Sequence, residues 1–235
     1  MEKAVFVALD LPNKQAVTDL LAKLGSPKQT YLKIGMELFY HVGANLVTEL
    51  SQQGYQIFLD LKLHDIPNTV YHAAKQLAQL GIYCTTVHAL GGSEMIAAAR
   101  SGLAAGSPAG KPLPKLLAVT ELTSISPAIL KNEQNCVLPM QEQVISLAKM
   151  AKKAGADGVI CSPLETAAIR QQLGSEFLCV TPGIRLKSNP QDDQKRVTTP
   201  QKACKLGASA IVVGRPITQA ADPQNVYQTI KQEFN

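Results

Sequence analysis

Residues 56–88 read QIFLDLKLHDIPNTVYHAAKQLAQLGIYCTTVH. The stretch begins with Gln56–Leu61, an apolar run without strict alternation, which is typical of a strand buried on both faces of a parallel sheet. A helix follows, indicated by apolar residues at the i, i+3, i+4, i+7 spacing: Val70, Ala73, Ala74 and Leu77. Gly81 then stands where a left-handed helix cap is expected, and a second apolar run covers Cys84–His88. These signals predict a β-α-β unit with parallel strands.

The same unit recurs along the whole chain. Eight short β-rich runs are expected to be strands: Ala4–Leu9, Tyr31–Ile34, Gln56–Leu61, Cys84–His88, Lys115–Thr120, Gly158–Cys161, Phe177–Thr181 and Ala210–Val213. Between a helical stretch and the next strand there is often a capping glycine: Gly54, Gly81, Gly155, Gly174 and Gly207. Eight strand-helix repeats in 235 residues predict an α/β fold of the (β/α)8 TIM barrel class, since a doubly wound sheet usually has fewer strands or a longer chain. No linker divides the chain, so residues 1–235 are expected to form a single domain.

Two further segments carry helical signals. Apolar residues recur every fourth position at Leu38, Val42, Leu46 and Leu50, which predicts a helix over this stretch. Ser162–Glu165 combines a serine cap, a proline at the first helical position and a glutamate placed for a capping box. This pattern predicts that another helix begins at Pro163.

Composition limits the function classes. Hydrophobic residues make up 46% of the chain, no apolar run approaches the ~20 residues of a membrane span, and the first residues lack the layout of a signal peptide. The net charge of +5 is spread along the chain, and with 5% aromatic residues and no tryptophan no nucleic-acid-binding surface is expected. The cysteines are scattered and odd in number: Cys84, Cys136, Cys161, Cys179 and Cys204. Free thiols in the cytoplasm are therefore expected.

Charged residues cluster where the predicted strands end, which is the active-site face of such a barrel. Because side chains two apart on a strand share a face, Asp60 and Lys62 are expected to point into the barrel mouth, and Asp65 follows in the loop. Lys33 ends the preceding strand, so cations and anions alternate there. A lysine beside carboxylates stays protonated, which suits a proton donor or an anion clamp. The alternative is an ion-pair network that merely seals the barrel end.

A second group of residues suits an anion. Val212–Pro216 ends the last strand and leads into a helix, and barrels frequently bind phosphate after strands seven and eight. The long polar loop from Pro182 to about Pro200 carries Arg185, Gln194 and Arg196 and is interpreted as a binding loop or lid, the alternative being a mobile surface loop. No histidine or cysteine spacing fits a zinc site and no glycine-rich dinucleotide fingerprint is present, so neither a zinc site nor a dinucleotide cofactor is expected.

With these residues in place, the chain closely resembles the bacterial orotidine 5'-phosphate decarboxylases over nearly its whole length. The resemblance is strongest at the ten-residue block Asp60–Thr69, whose D-x-K-x-x-D core is shared with sugar-phosphate enzymes on the same barrel. Supporting motifs are Leu32–Gly35, Leu122–Ser124, Pro182–Arg185, Gln194 with Arg196-Val197, and Val213–Arg215. The resemblance implies cofactor-independent removal of CO₂ from orotidine 5'-phosphate, giving uridine 5'-phosphate in de novo pyrimidine synthesis.

Residue roles follow from the resemblance alone. It implies that Lys62 donates a proton to the ring carbon that loses CO₂, with Asp60 and Lys33 as its charged neighbours. Lys33 and Asp10 would reach the ribose hydroxyls. A homodimer is implied whose neighbouring subunit supplies Asp65, Ile66 and Thr69 to each site. The other implied substrate contacts are Thr123 and Ser124 at the pyrimidine and Arg185, Gln194, Gly214 and Arg215 at the phosphate.

Two other functions stay open at this point. Relatives such as keto-gulonate-phosphate decarboxylase or hexulose-phosphate synthase share D-x-K-x-x-D, but they bind magnesium with an acidic residue where this chain has Lys33, and a cation there repels a metal. A catalytically silent barrel that binds nucleotides or phosphate is not excluded by fold. A mere binder, however, has no need of the charge array at Lys33, Asp60, Lys62 and Asp65.

Overall fold

In this computed structural model, which describes residues 3–186 and 198–235, eight parallel strands pair in chain order and close into a barrel. The strands are β1 Ala4–Ala8, β2 Tyr31–Gly35, β3 Gln56–Leu63, β4 Cys84–His88, β5 Lys115–Val119, β6 Gly158–Ile160, β7 Leu178–Thr181 and β8 Ala210–Val213. Every predicted strand is present. The largest difference is at β3, which continues to Leu63 instead of ending at Leu61. The predicted (β/α)8 barrel is confirmed.

Helices cover the outside of the barrel. They are α1 Lys14–Leu21, α2 Met36–Val42, α3 Ala44–Gln52, α4 Pro67–Ala78, α5 Gly92–Gly106, α6 Pro127–Asn132, α7 Met140–Lys153, α8 Thr166–Leu173, α9 Pro200–Lys205, α10 Arg215–Thr218 and α11 Pro223–Phe234. The five glycines predicted to follow helices all have φ between 72° and 99°, a region that disfavours residues with a Cβ. Over residues 3–186 and 198–235, no helix combines the length and apolar character that a bilayer span requires.

Two helix predictions were wrong in detail. The stretch from Leu38 to Leu50, in which every fourth residue is apolar, is divided between helices α2 and α3. Gly43, with φ 75°, interrupts the helical path between them. The α8 helix begins at Thr166, later than predicted. The capping-box bond does form, with the Ser162 N–H donating to Glu165 Oε2 at 2.9 Å, but it closes the turn that precedes the helix.

The barrel interior is apolar at one end and polar at the other. Inward-facing side chains near the amino ends of the strands form a packed layer: Ala4, Phe6, Phe58, Cys84, Leu117, Leu178, Val180 and Ala210. The Phe6 ring meets Phe58 and Tyr31 edge-on, at centroid distances of 5.4 and 5.3 Å. Outward-facing residues such as Val5 and Val7 pack against the helices instead. The closed apolar layer therefore forms the floor beneath the carboxyl ends of the strands.

Helix α4, which follows the charged β3 segment, is held close against α5. A Cβ at Gly102 would overlap the backbone carbonyl of Tyr71, and one at Gly106 would overlap that of Lys75. The two glycines are four residues apart and so lie on one face of α5. This close backbone contact fixes α4, and with it the turn that leads from β3 into the helix.

Candidate active site

A cavity of about 590 Å³ lies at the carboxyl ends of the strands, the face on which barrels of this class carry their active sites. Its volume is in the range of small-molecule sites. Among the described residues its wall contains four acidic and four basic side chains: Asp10, Glu37, Asp60 and Glu121, with Lys33, Lys62, Arg185 and Arg215. Three members of the predicted charge cluster, Lys33, Asp60 and Lys62, are therefore brought together around one cavity, whereas Asp65 is not among its lining residues.

The first ion pair in this wall joins β1 to β2. Lys33 Nζ donates to Asp10 Oδ1 at 2.6 Å. The lysine side chain is only 10% exposed, whereas that of Asp10 is 57% exposed and faces the opening. Gly35 leaves room for this contact, since a Cβ there would come within 3.2 Å of Lys33 Nζ. The pair presents one carboxylate and one ammonium to a ligand at the same edge of the cavity.

The second ion pair lies within β3. Lys62 Nζ donates to Asp60 Oδ2 at 2.8 Å, and the side chains of Lys62 and Asp60 are only 25% and 15% exposed. The alternation of a regular strand predicted that these residues share a face, and both do line the cavity. The backbone reaches that arrangement differently, because Lys62 has φ 51° and the β3–β4 register shifts between Leu59 and Leu63. Of the predicted array, Lys33 therefore pairs with Asp10 and Lys62 pairs with Asp60, while Asp65 belongs to neither ion pair.

Two histidines lie beside the Asp60–Lys62 pair. The rings of His64 and His88 are 5.4 Å apart. Burial lowers the pKa of His88, electrostatic interactions with His64 and Lys62 lower it further, and the interaction with Asp60 opposes these effects. No group of three or more His, Cys, Asp or Glu side chains in the described part of the chain is arranged to hold a metal ion. His88 therefore stands as a neutral imidazole next to the charged pair at neutral pH.

The opposite side of the cavity is built by the ends of β7 and β8. The Arg185 N–H donates to the Thr198 carbonyl at 2.9 Å and the Thr198 N–H donates to the Gly183 carbonyl at 3.0 Å, so the base of the long loop is closed. Gln194 and Arg196, both predicted to act in this loop, lie outside the described residues. Arg185, Gly214 and Arg215 line the cavity.

Helix α10, into which the predicted anion-binding segment Val212–Pro216 leads, spans only four residues, Arg215–Thr218. One turn sums few peptide dipoles, so its macrodipole contributes little. Two guanidinium groups at this end of the cavity are the stronger source of positive potential. The positive potential at this end of the cavity therefore comes mainly from the side chains of Arg185 and Arg215.

Four of the predicted site residues do not line the cavity: Asp65, Ile66, Thr69 and Ser124. All four are exposed. The Asp65 carboxylate accepts the N–H of Ile66 at 2.7 Å, in the turn between β3 and α4, and the Ile66 side chain is 65% exposed. Thr123 does line the cavity. Within one chain, these four residues therefore do not contribute to the wall of the cavity.

Some lining residues were not predicted from the sequence: Glu37, Cys161, Thr218 and Gln219. Glu37 and Gln219 lie in or just after helices that follow strands, where the sequence pattern does not show which side chains turn back over the barrel.

Glu121 is buried and accepts from Gln143 Nε2 at 3.4 Å, while its Oε2 has no hydrogen-bond partner within the described ranges.

The chain is similar in sequence and in fold to known proteins. A model of the Orotidine 5'-phosphate decarboxylase / HUMPS family matches residues 3–230. The orotidine 5'-phosphate decarboxylase of Lactobacillus acidophilus is 63% identical over 235 residues, covering 100% of both chains. That of Lactococcus lactis is 48% identical over 234 residues, covering 100% of this chain and 99% of the relative. The crystal structure of the Lactobacillus acidophilus protein matches with a TM-score of 0.92 and 60% identity over 100% of both chains. This chain therefore belongs to the orotidine 5'-phosphate decarboxylase family.

Proposed function

We propose that this protein converts orotidine 5'-phosphate to uridine 5'-phosphate and CO₂ in de novo pyrimidine synthesis, without metal or organic cofactor, with residues 1–235 acting as one catalytic domain. The observation that carries the proposal is the Lys62 ammonium, held 2.8 Å from Asp60 in the wall of a cavity that also contains Arg185 and Arg215. A nucleotide with a ring to protonate and a phosphate to bind matches both ends of this cavity.

Lys62 has the chemistry of a proton donor. Loss of CO₂ breaks a carbon–carbon bond and leaves its electron pair on a ring carbon that has no adjacent electron sink. An ammonium aimed at that carbon stabilises the charge as it forms and then supplies the proton. Asp60 pairs with the ammonium and fixes its direction, and the neutral amine that is left after proton transfer regains a proton from solvent after product release. A lysine held this way is a poor Schiff-base nucleophile.

Residues in and near the cavity are proposed to bind the rest of the nucleotide. Asp10 and Lys33 offer an acceptor and a donor for the ribose hydroxyls, and Thr123 and Ser124 are proposed to contact the pyrimidine. Charge-assisted, bidentate hydrogen bonds from guanidinium groups suit a phosphate. The phosphate site is proposed to consist of Arg185, Gln194, Gly214 and Arg215. Binding energy from this remote group can serve to assemble the charged centre around the reacting ring.

A homodimer with shared sites is part of the proposal. Strands β2, β3 and β4 are neighbours in the barrel, so the segments that follow them begin next to one another. These segments expose four large apolar side chains, which we call the rim patch: Met36 and Tyr40 in α2, Ile66 before α4 and Leu90 after β4. Exposed apolar surface of this kind at a site's edge is typical of an interaction surface. A second copy seated on the rim patch in a two-fold arrangement would carry its own Asp65 and Thr69 toward this cavity. Asp65 would then lie close to the substrate carboxylate. Its negative charge would repel the bound substrate more than the transition state, in which the carboxylate is leaving as CO₂.

The activity is tested by following the loss of the orotate chromophore when purified protein meets orotidine 5'-phosphate in excess EDTA. We expect rapid loss that is unchanged by the chelator, because the proposed chemistry uses protein groups alone. Added magnesium is the matched control and is expected to have no effect. Absence of turnover in a folded protein, or turnover that requires magnesium, would overturn the proposal and favour a sugar-phosphate reaction.

The shared site is tested by co-expressing Lys62→Ala and Asp65→Ala chains. Each variant alone is expected to be nearly inactive, whereas a mixed dimer contains one site with both native residues. With random pairing, about a quarter of the wild-type activity is expected to return, since each subunit of a two-fold dimer contacts the other in the same way. Activity equal to the sum of the two separate variants, in a sample that sediments as a dimer, would contradict a shared site.

A further inference from the structure

We propose that Thr86 is a positioning residue that holds Asp60 and Lys62 in their catalytic arrangement. This inference rests on the proposed function, since it concerns the geometry of the proposed proton donor. Thr86 lies on β4, is fully buried, and is absent from the cavity wall. It acts through its two neighbours on β3 and does not touch the substrate.

The strand register explains why a side chain is needed at this place. Leu59 pairs with Thr85 and Leu63 pairs with Val87, so three residues of β3 (60–62) lie opposite the single residue Thr86 of β4. A bulge of this kind interrupts the regular ladder and leaves backbone groups without their usual partners. Buried N–H groups in such a segment must be satisfied by another acceptor. The Thr86 hydroxyl lies at that position.

The hydroxyl makes two hydrogen bonds that connect the catalytic pair. Thr86 Oγ1 accepts the backbone N–H of Lys62 at 2.9 Å and donates its own proton to Asp60 Oδ1 at 2.8 Å. The other oxygen of Asp60 accepts from Lys62 Nζ at 2.8 Å. These three bonds form a closed circuit through the backbone and the side chain of Lys62. The Lys62 backbone is therefore bonded to the buried Thr86 hydroxyl directly, and the Lys62 ammonium is connected to it through Asp60.

The backbone conformation of Lys62 explains why these hydrogen bonds are needed. Its φ of 51° is in the left-handed region, which is unfavourable for a residue with a Cβ. Such a conformation persists where the surroundings over-determine it. Without the Thr86 hydroxyl, the Lys62 N–H and one Asp60 oxygen lose their partners, and the segment can relax away from the bulge. The direction of the ammonium would change while the substrate-binding side chains stay in place.

The neighbouring Thr85 is a matched control. It is also fully buried, and its Oγ1 donates to the Leu59 carbonyl at 2.8 Å, so its replacement also removes a buried hydrogen bond. Thr85 faces away from the barrel interior, and the Lys62 N–H and the Asp60 carboxylate have no hydrogen bond to it within the described ranges. A general loss of stability would therefore be common to both threonines, whereas a positioning role belongs to Thr86.

The experiment compares kcat, KM, uridine 5'-phosphate affinity and melting temperature for wild type, Thr86→Val, Thr86→Ser, Thr85→Val and Lys62→Ala. For Thr86→Val we expect kcat to fall about 100-fold with KM and product affinity changed less than about threefold, as for a misplaced catalytic group. Thr86→Ser keeps the hydroxyl and is expected to restore most of kcat. Thr85→Val is expected to lower the melting temperature and leave kcat unchanged. If Thr86→Val does not fold, Thr86→Ala measures the same loss without an apolar group against the carboxylate.

Several results would overturn the inference. They are a Thr86→Val kcat close to that of wild type, a serine variant as impaired as the valine variant, or an equal loss of kcat in Thr85→Val. The same series separates this inference from the proposed function. An inactive wild type, or a Lys62→Ala variant as active as wild type, overturns both. Wild-type activity that depends on Lys62 but not on Thr86 overturns the positioning role alone.

Discussion

Lys62→Ala is expected to lower kcat for orotidine 5'-phosphate by a factor on the order of 10⁴ or more. The substitution removes both the proton donor and the positive charge that stabilises the carbanion, which typically contribute 10²–10⁴-fold and 10²–10³-fold, respectively. Alanine has a Cβ like lysine, so the backbone at φ 51° bears the same strain and the bulge is preserved. The chromophore assay measures the rate, and binding of uridine 5'-phosphate shows that the cavity persists.

Lys115→Ala is the matched control for this variant. Lys115 forms an ion pair with Asp157 at 3.2 Å, so its loss also breaks a lysine–carboxylate pair. Lys115 begins β5, at the end of the barrel remote from the cavity. The Lys115→Ala variant is therefore expected to be as active as wild type. A Lys62→Ala variant that keeps activity within about tenfold of wild type would assign the proton transfer to another group.

Arg215→Ala is expected to reduce kcat/KM by about 100-fold or more, which corresponds to roughly 3 kcal/mol. The loss follows from removing charge-assisted hydrogen bonds to a phosphate whose binding energy supports catalysis at the distant ring. Arg215 is exposed and begins the one-turn helix α10, so the melting temperature should change little. Steady-state kinetics with the nucleotide measures the effect.

The nucleoside orotidine, which has no phosphate, is the control substrate for Arg215→Ala. If Arg215 acts on the phosphate alone, wild type and variant should process orotidine with equal and low efficiency. An unchanged kcat/KM for the nucleotide would remove Arg215 from the phosphate site. An equal loss for nucleotide and nucleoside would mean that the arginine supports the cavity in another way.

Much of the fold could be predicted because its signals are local. A strand buried on both faces requires a continuous apolar run, and a helix that ends in the left-handed region favours glycine, so both are visible within a few residues. The predicted strands and the five capping glycines are all present. The errors occurred where a single backbone angle overrides a pattern. Gly43 divides a helical stripe, and the Ser162–Glu165 box closes a turn before the helix.

The site was predictable in its residues and less so in its geometry. The rule that barrel sites lie at the carboxyl ends of strands brought Lys33, Asp60 and Lys62 together, the family resemblance added Asp10, and all four line the cavity. The roles of these residues came from family resemblance, and they stay predictions. The outward positions of Asp65 and Ser124 follow from turns whose direction no periodic pattern encodes.

The sequence by itself determined the strand-helix repeat, the class of barrel and the end at which charge collects, because each depends on the order of apolar and polar residues along the chain. The tertiary structure alone decided how the charges pair. Asp10 meets Lys33 across two strands, and Thr86 meets Asp60 and the Lys62 backbone across a bulge. Those contacts depend on the register between strands distant in sequence, where one shifted residue changes every partner.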